Sequence, residues 1–241
     1  MARPKAVLLY DNTLPGTFVR RLNRFTALVE IDGNEETVHV KNTGRLEELL
    51  LPGAKVTLQK AADPERKTGY DLISVYAPGL KWVNIDSLAP NALVKQVLES
   101  SSYDLVKPEY SYGNSRIDFY MEEGDRKFLC EVKGCTLAAD RKAGIGLFPD
   151  APTERGVRHL QELARAAKEG FFCSIVFVIQ MNGIHLVRPN HAAQPEFGQA
   201  LREAAKTGVQ IQYYSCHVEA DSIKITGLAD DTARYLRVLP M

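Results

Sequence analysis

FLCEVKGCTL, residues 128–137, runs from an apolar stretch straight into an acid and an amine on either side of Val132. In a strand alternate side chains share a face, so Glu131 and Lys133 point one way and Val132 points into a core. A lone Glu-x-Lys is also what the solvated face of an edge strand looks like, so its neighbours decide its meaning. Upstream stands Ser115-Arg116-Ile117-Asp118-Phe119, and the short connection Glu123-Gly124-Asp125 makes the two strands a hairpin. Asp118, flanked by Ile117 and Phe119, is expected on the face opposite theirs, beside Glu131. Two carboxylates brought together raise each other's pKa unless a cation sits between them. Hard oxygen ligands of this kind suit Mg²⁺ or Mn²⁺. Lys133 is then placed to orient or deprotonate a water, or to stabilise charge developing on a phosphate.

Outward from that hairpin, the chain divides into two patterns. Residues 1–80 read as short strands, among them 25–31 and 37–40 joined across Asp32-Gly33, then 55–59 and 72–76, with a brief helical patch at 45–50. Several short strands with one small helix suit an oligonucleotide-binding (OB)-like barrel. Residues 81–241 read as helix, three strands, helix, strand, helix and strand, a mixed α/β domain. In it a helix starts after Pro152 with Thr153 as N-cap, and 171–180 is a strand buried on both faces. The glycine-rich stretch 142–147 precedes Phe148-Pro149 and no helix, so it is expected to be a mobile loop near the site.

The 241 residues are 45% hydrophobic and 25% charged, an ordinary globular composition, and the formal net charge is zero. Global charge therefore argues for neither nucleic acid nor an anionic membrane, and such binding needs a local patch. Arg20, Arg21 and Arg24, with Phe18 and Phe25, form one candidate patch for stacking and phosphate contact. Asn42-Thr43-Gly44 is either a rim loop touching DNA or the cap of the 45–50 patch. Arg141 and Lys142 form a second candidate patch. A third lies on the helix after the Glu-x-Lys strand, where Arg155, Arg158 and His159 share one side. The longest apolar stretch, 171–179, is too short to cross a bilayer as a helix. The N-terminus lacks an h-region and cleavage site, so a cytoplasmic protein with no membrane partner is expected. Cys130, Cys135, Cys173 and Cys216 show no CxxC spacing and are expected to be reduced, structural residues.

An Asp, then a strand bearing Glu-x-Lys, then a helix resembles the PD-(D/E)xK nuclease superfamily. A more specific resemblance covers nearly the whole chain. Asn42-Thr43-Gly44 with Leu51-Pro52-Gly53, Tyr112-Gly113 with 115–119, 131–133, and 148–160 (FPDAPTERGVRHL) are together similar to the sugar fermentation stimulation protein A family. That resemblance implies a DNA-binding protein implicated in sugar (maltose) metabolism, with an OB barrel joined to a nuclease-like domain. It places Asp118, Glu131 and Lys133 at the superfamily's catalytic positions. Because the superfamily often adds an acid from the first helix, it also implies a third metal ligand, for which Glu109, between Pro108 and Tyr110 on the strand next to that of Asp118, is preferred over Glu99 near the end of that helix. Three functions are expected as rivals: a Mg²⁺- or Mn²⁺-dependent nuclease acting on DNA, a non-catalytic DNA-binding regulator on the same scaffold, and a protein-interaction module with a vestigial site, which the zero net charge favours.

Overall fold

The computed structural model describes residues 6–236, so Met1–Lys5 of the N-terminal stretch discussed above lie outside it. After a short strand β1 (Val7–Leu9), the chain lays down β2 (Thr13–Arg21), β3 (Thr26–Ile31), β4 (Asn34–Val40), β5 (Lys55–Lys60), β6 (Tyr70–Ala77) and β7 (Lys81–Asn84). Alternation shows directly in β3, where Ala27, Val29 and Ile31 are buried and their neighbours are not. The strands pair in the order β4-β3-β2-β5-β6-β7, and a parallel pairing of β4 with β6 at His39↔Asp71 and Val40↔Leu72 closes a five-stranded barrel. β7 then extends β6 as an antiparallel hairpin across Ala77↔Lys81. The expected helical patch at 45–50 is instead a single turn, because no helix can propagate beyond the Leu50 N–H to Leu46 carbonyl bond before Pro52. Its leading N–H groups, those of Arg45 and Leu46, donate to Asp150 Oδ2 of the other half of the molecule at 2.6 and 3.2 Å.

The second half comprises α1 (Ala89–Glu99), β8 (Leu105–Tyr112), β9 (Ser115–Glu123), β10 (Arg126–Cys135), β11 (Leu137–Asp140), β12 (Ile145–Phe148), α2 (Glu154–Lys168), β13 (Phe172–Ile179), β14 (Leu186–Pro189), α3 (Pro195–Lys206), β15 (Gln210–Val218), β16 (Ser222–Asp230) and α4 (Thr232–Leu236). Seven strands form one sheet in the order β1-β16-β15-β13-β10-β9-β8. The N-terminal β1 thus belongs to the sheet of the second half, paired with β16, before the chain enters the barrel. β10, β13 and β15 run parallel through the middle, which explains the continuous apolar run of β13. β10, carrying Glu131 and Lys133, is therefore an interior strand and no solvated edge. Leu160, Leu163, Phe197, Leu201 and Tyr235 cover one face from α2, α3 and α4, and Leu93, Val94 and Leu98 cover the other from α1. Thr153 caps α2, its side chain accepting from the Gly156 N–H at 3.0 Å. The glycine-rich stretch expected to be a loop ends in β12, the middle strand of a small sheet β11-β12-β14. Among the described residues no helix is long and apolar enough to cross a membrane.

Barrel and sheet are joined by a buried polar knot. Asp86, 2% exposed, accepts from Lys41 Nζ at 2.7 Å and Tyr10 OH at 3.2 Å, while Gln180 at the end of β13 donates to Asn84 Oδ1 and the Asp86 carbonyl at 2.8 and 2.9 Å. Removing one partner of a buried ion pair leaves the other charge uncompensated. D86A is expected to lower the unfolding free energy by about 3–5 kcal/mol in urea titration.

Candidate active site

The antiparallel ladder between β9 and β10 runs from Arg126↔Glu123 to Cys130↔Phe119 and stops there, one residue short of Glu131 and Asp118. Where it opens, Asp118 Oδ2 takes the place of a backbone carbonyl and accepts the Val132 N–H at 2.8 Å. Its other oxygen accepts from Asn91 Nδ2, in the first turn of α1, at 2.9 Å. Strict alternation breaks at this point. Ile117 joins the α2-side core and Phe119 the α1-side core, so Asp118 does not stand opposite both of them as the sequence pattern implies.

Glu131 is 1% exposed. Its Oε1 receives both the Lys133 ammonium and His159 Nδ1. Arg155 Nε donates to His159 Nε2 at 3.3 Å, so Nε2 is the acceptor and Nδ1 carries the proton given to Glu131. Oε2 of Glu131 is buried and has no hydrogen-bond partner. Burial, then the Glu131 charge, push the Asp118 carboxyl above the usual carboxylate range. Burial would push Glu131 up as well, but the Lys133 ammonium and the His159 donor outweigh it and hold that carboxyl below the usual range. Two neighbouring acids are thus shifted in opposite directions, the division of labour expected when one is paired and the other waits for a positive charge.

The remaining expected site residues are placed as follows. Glu109 sits at a left-handed backbone position (φ 55°) and its exposed carboxylate is bound by Arg116 at 3.0 Å. Glu99 faces Lys95 at 3.6 Å on the exposed side of α1. Among the described residues no three His, Cys, Asp or Glu side chains converge on one point, so neither acid completes a ready-made cage with Asp118 and Glu131. What α1 contributes is Asn91, which sequence reasoning missed because an Asn at a helix start reads as capping chemistry. His159, expected at a nucleic-acid surface, is 2% exposed and instead positions Glu131, while Arg155 and Arg158 are exposed.

In the barrel, Arg21 is a correction. It gives all its N–H donors to the carbonyls of Asn23, Arg24, Asn42, Gly44 and Arg45 at 2.7–3.1 Å, holding the 42–45 loop and leaving none for a phosphate. Phe18 is a second correction, 2% exposed within the barrel core, whereas Phe25 is 53% exposed. Arg20 is exposed, and Arg24 is exposed with a bond to the Thr43 carbonyl at 3.3 Å. Arg141 is tethered to the Pro78 carbonyl, and Lys142 is exposed beside it. Asn42 caps no helix but folds its own loop by accepting from the Gly44 N–H at 2.8 Å, and Asn42, Thr43 and Gly44 line the barrel side of a cleft. A cleft of about 260 Å³ lies between the halves, lined by Arg24 and Thr43 from the barrel and by Lys133, Gly134, Phe148 and Asp150 opposite. A larger hollow of about 940 Å³ lies on the α1 side of the sheet among Tyr103, Phe128, Phe172 and Tyr214, away from both acids.

An OB-like barrel joined to a sheet-rich α/β domain that carries an Asp and a Glu-x-Lys on neighbouring strands is the class these features define. Residues 87–222 match the family described as sugar fermentation stimulation protein RE domain, and residues 19–85 match the SfsA N-terminal OB domain. A sugar fermentation stimulation protein homolog of Desulfitobacterium hafniense is 49% identical over 218 residues, covering 89% of this chain and 94% of that protein. One from Clostridium beijerinckii is 48% identical over 225 residues, covering 92% and 98%. The solved structure of Pyrococcus furiosus SfsA in complex with Ca²⁺ superposes with a TM-score of 0.83 at 27% identity, covering 92% of this chain and 97% of that one. The chain belongs to the sugar fermentation stimulation protein family.

The two acids should titrate with opposite effects on stability. The raised Asp118 carboxyl stabilises the fold only below the ordinary Asp range, and that contribution is lost as pH rises through its folded value. D118N can keep both hydrogen bonds if Asn91 turns its amide, so it should raise the melting temperature in EDTA at pH 7–8, the gain shrinking towards acid. Glu131 contributes above the ordinary Glu range and loses it as pH falls. E131Q should therefore lower the melting temperature at neutral pH, and thermal melts from pH 4 to 8 read both.

Proposed function

We propose that the protein is a cytoplasmic DNA-binding phosphodiesterase dependent on Mg²⁺ or Mn²⁺, with Asp118 and Glu131 as the metal's carboxylates and Lys133 as the residue facing the reacting phosphate. The observation that carries this reading is Glu131 Oε2, buried without a partner beside an acid whose carboxyl is raised. Glu48 Oε1 and Glu162 Oε2 are buried without partners as well, and what sets Glu131 apart is the second acid beside it, Asp118, whose carboxyl its charge helps to raise. The donor set fits Mg²⁺ or Mn²⁺, which take one or two carboxylates and complete their shells with waters and substrate phosphate. The related Pyrococcus furiosus structure holds Ca²⁺, another hard oxygen-seeking cation, which supports a divalent site in this family. Buried thiols at all four cysteines, none of them bridged, support a reducing compartment.

When bound, the ion would polarise a phosphoryl oxygen and lower the pKa of an attacking water. The protein's own residues have separate tasks. The Val132 N–H and Asn91 hold Asp118 with both oxygens oriented, and His159, itself held by Arg155, fixes Glu131 through Oε1. Lys133, its side chain 14% exposed where it lines the cleft, can leave Glu131 for a phosphate oxygen and stabilise charge growing there. Two acids facing a polyanion repel it unless a cation intervenes, and this favours the enzyme over a regulator that merely binds.

Purified protein incubated with DNA and Mg²⁺, Mn²⁺ or EDTA decides the matter. Cleavage is expected with either metal, abolished by EDTA and reduced about 10²–10⁴-fold in E131A and K133A. DNA binding without cleavage, unchanged in both variants, would remove the catalytic reading and leave a DNA-binding regulator on a nuclease scaffold.

A further inference from the structure

We infer that the nucleic acid this site receives is a single strand, led to Lys133 through the cleft between the two halves and held on the barrel side by a base stacked on Phe25; the inference rests on the DNA-binding reading above. The reacting end is recessed, with Glu131 1% and the Lys133 side chain 14% exposed. The cleft before it, about 260 Å³, is smaller than the ~300–1,000 Å³ of pockets that enclose drug-sized ligands. It has room for one nucleotide-sized group. A duplex carries its phosphates on the outside of a rod whose major groove alone is about 12 Å wide, so it cannot enter without being opened.

Charge on the barrel points the same way. OB barrels commonly bind oligonucleotides on the face of their second and third strands, here β3 and β4. That hairpin carries Glu30 directly opposite Glu35, with Glu36 following, all exposed. Such a face repels a polyanion. The turn between β2 and β3 has the opposite character. Phe25 is 53% exposed there, with the Arg24 guanidinium 5.9 Å from its ring, and Arg24 also lines the cleft that contains Lys133.

This turn is preorganised. Asn23 Oδ1 accepts the N–H groups of Phe25 and Thr26 at 2.8 and 3.0 Å, and the guanidinium of Arg21 locks the turn to the 42–45 loop. Arg24 reaches the same loop through the Thr43 carbonyl. The acid in the cleft, Asp150, is turned onto the Arg45 and Leu46 N–H groups, which offset its charge. An exposed aromatic ring beside a cation that lines a narrow cleft containing a lysine is an arrangement that can bind single strands through stacking and backbone charge.

The test measures fluorescence anisotropy of the full-length protein in Ca²⁺, the cation of the related solved structure, with a short single-stranded oligonucleotide and a hairpin duplex of the same sequence. The single strand is expected to bind more tightly. F25A should weaken it about tenfold, F25W should retain it, and R24A should reduce the slope of log affinity against log salt by about one. Because Phe25 is exposed, F25A should melt as the wild type does. Equal affinity for the duplex, or an unchanged F25A affinity, overturns the single-strand path even if DNA is cleaved in Mn²⁺. Binding of the single strand that depends on Phe25 but is never followed by cleavage would keep the path and remove the catalytic reading. Failure to bind either DNA overturns both.

Discussion

The hydrogen bond from the Val132 N–H to the Asp118 carboxylate is the interaction on which the site depends. Because the ladder between β9 and β10 ends at Cys130↔Phe119, the next backbone donor would be orphaned inside the protein. A side-chain carboxylate satisfies it, and this single substitution of acceptor ties an acid on one strand to the backbone of the next. The opening also separates the strands where Glu131 stands, so that two acids share a region without both being neutralised by the fold. Glu131 is held by Lys133 and His159, while Asp118 keeps the unfavourable charge. Such unevenness costs stability and is retained where a ligand offsets it.

The second constraint is the union of barrel and sheet. Asp86 with Lys41 and Tyr10, Gln180 with Asn84, and Asp150 with the 45–46 backbone all cross between the halves. Each leaves a buried polar group unsatisfied if the halves shift, so the cleft has a defined width. Gly44 shows how close the approach is, since a Cβ there would lie 2.8 Å from Asp150 Oδ2. Lys133 therefore faces Arg24 and Thr43 across a fixed gap.

Several parts of this were legible in the chain. The Glu-x-Lys motif, the upstream Asp and the Thr153 cap depend on near neighbours, and their patterns survive in one dimension. Other expectations failed for physical reasons. Arg21 reads as a surface cation, yet its planar fork found backbone carbonyls close enough to take every donor. Phe18 and Phe25 look alike in sequence, and only barrel closure buries the first and leaves the second bare. His159 reads as part of a basic helix face, but the packing of α2 on β10 turns it inward onto Glu131.

The sequence by itself determined the hairpin of β9 and β10, the Glu-x-Lys pair on it and the Thr153 cap of α2, because strand period, turn residues and capping act over a few residues. Tertiary structure alone decided that β10 is interior, that Asn91 supports Asp118, that Glu109 faces away, and that Lys133 opens into a cleft with the barrel. Those outcomes depend on strand order, a break in one ladder and contacts between residues far apart in the chain, and no local pattern encodes them.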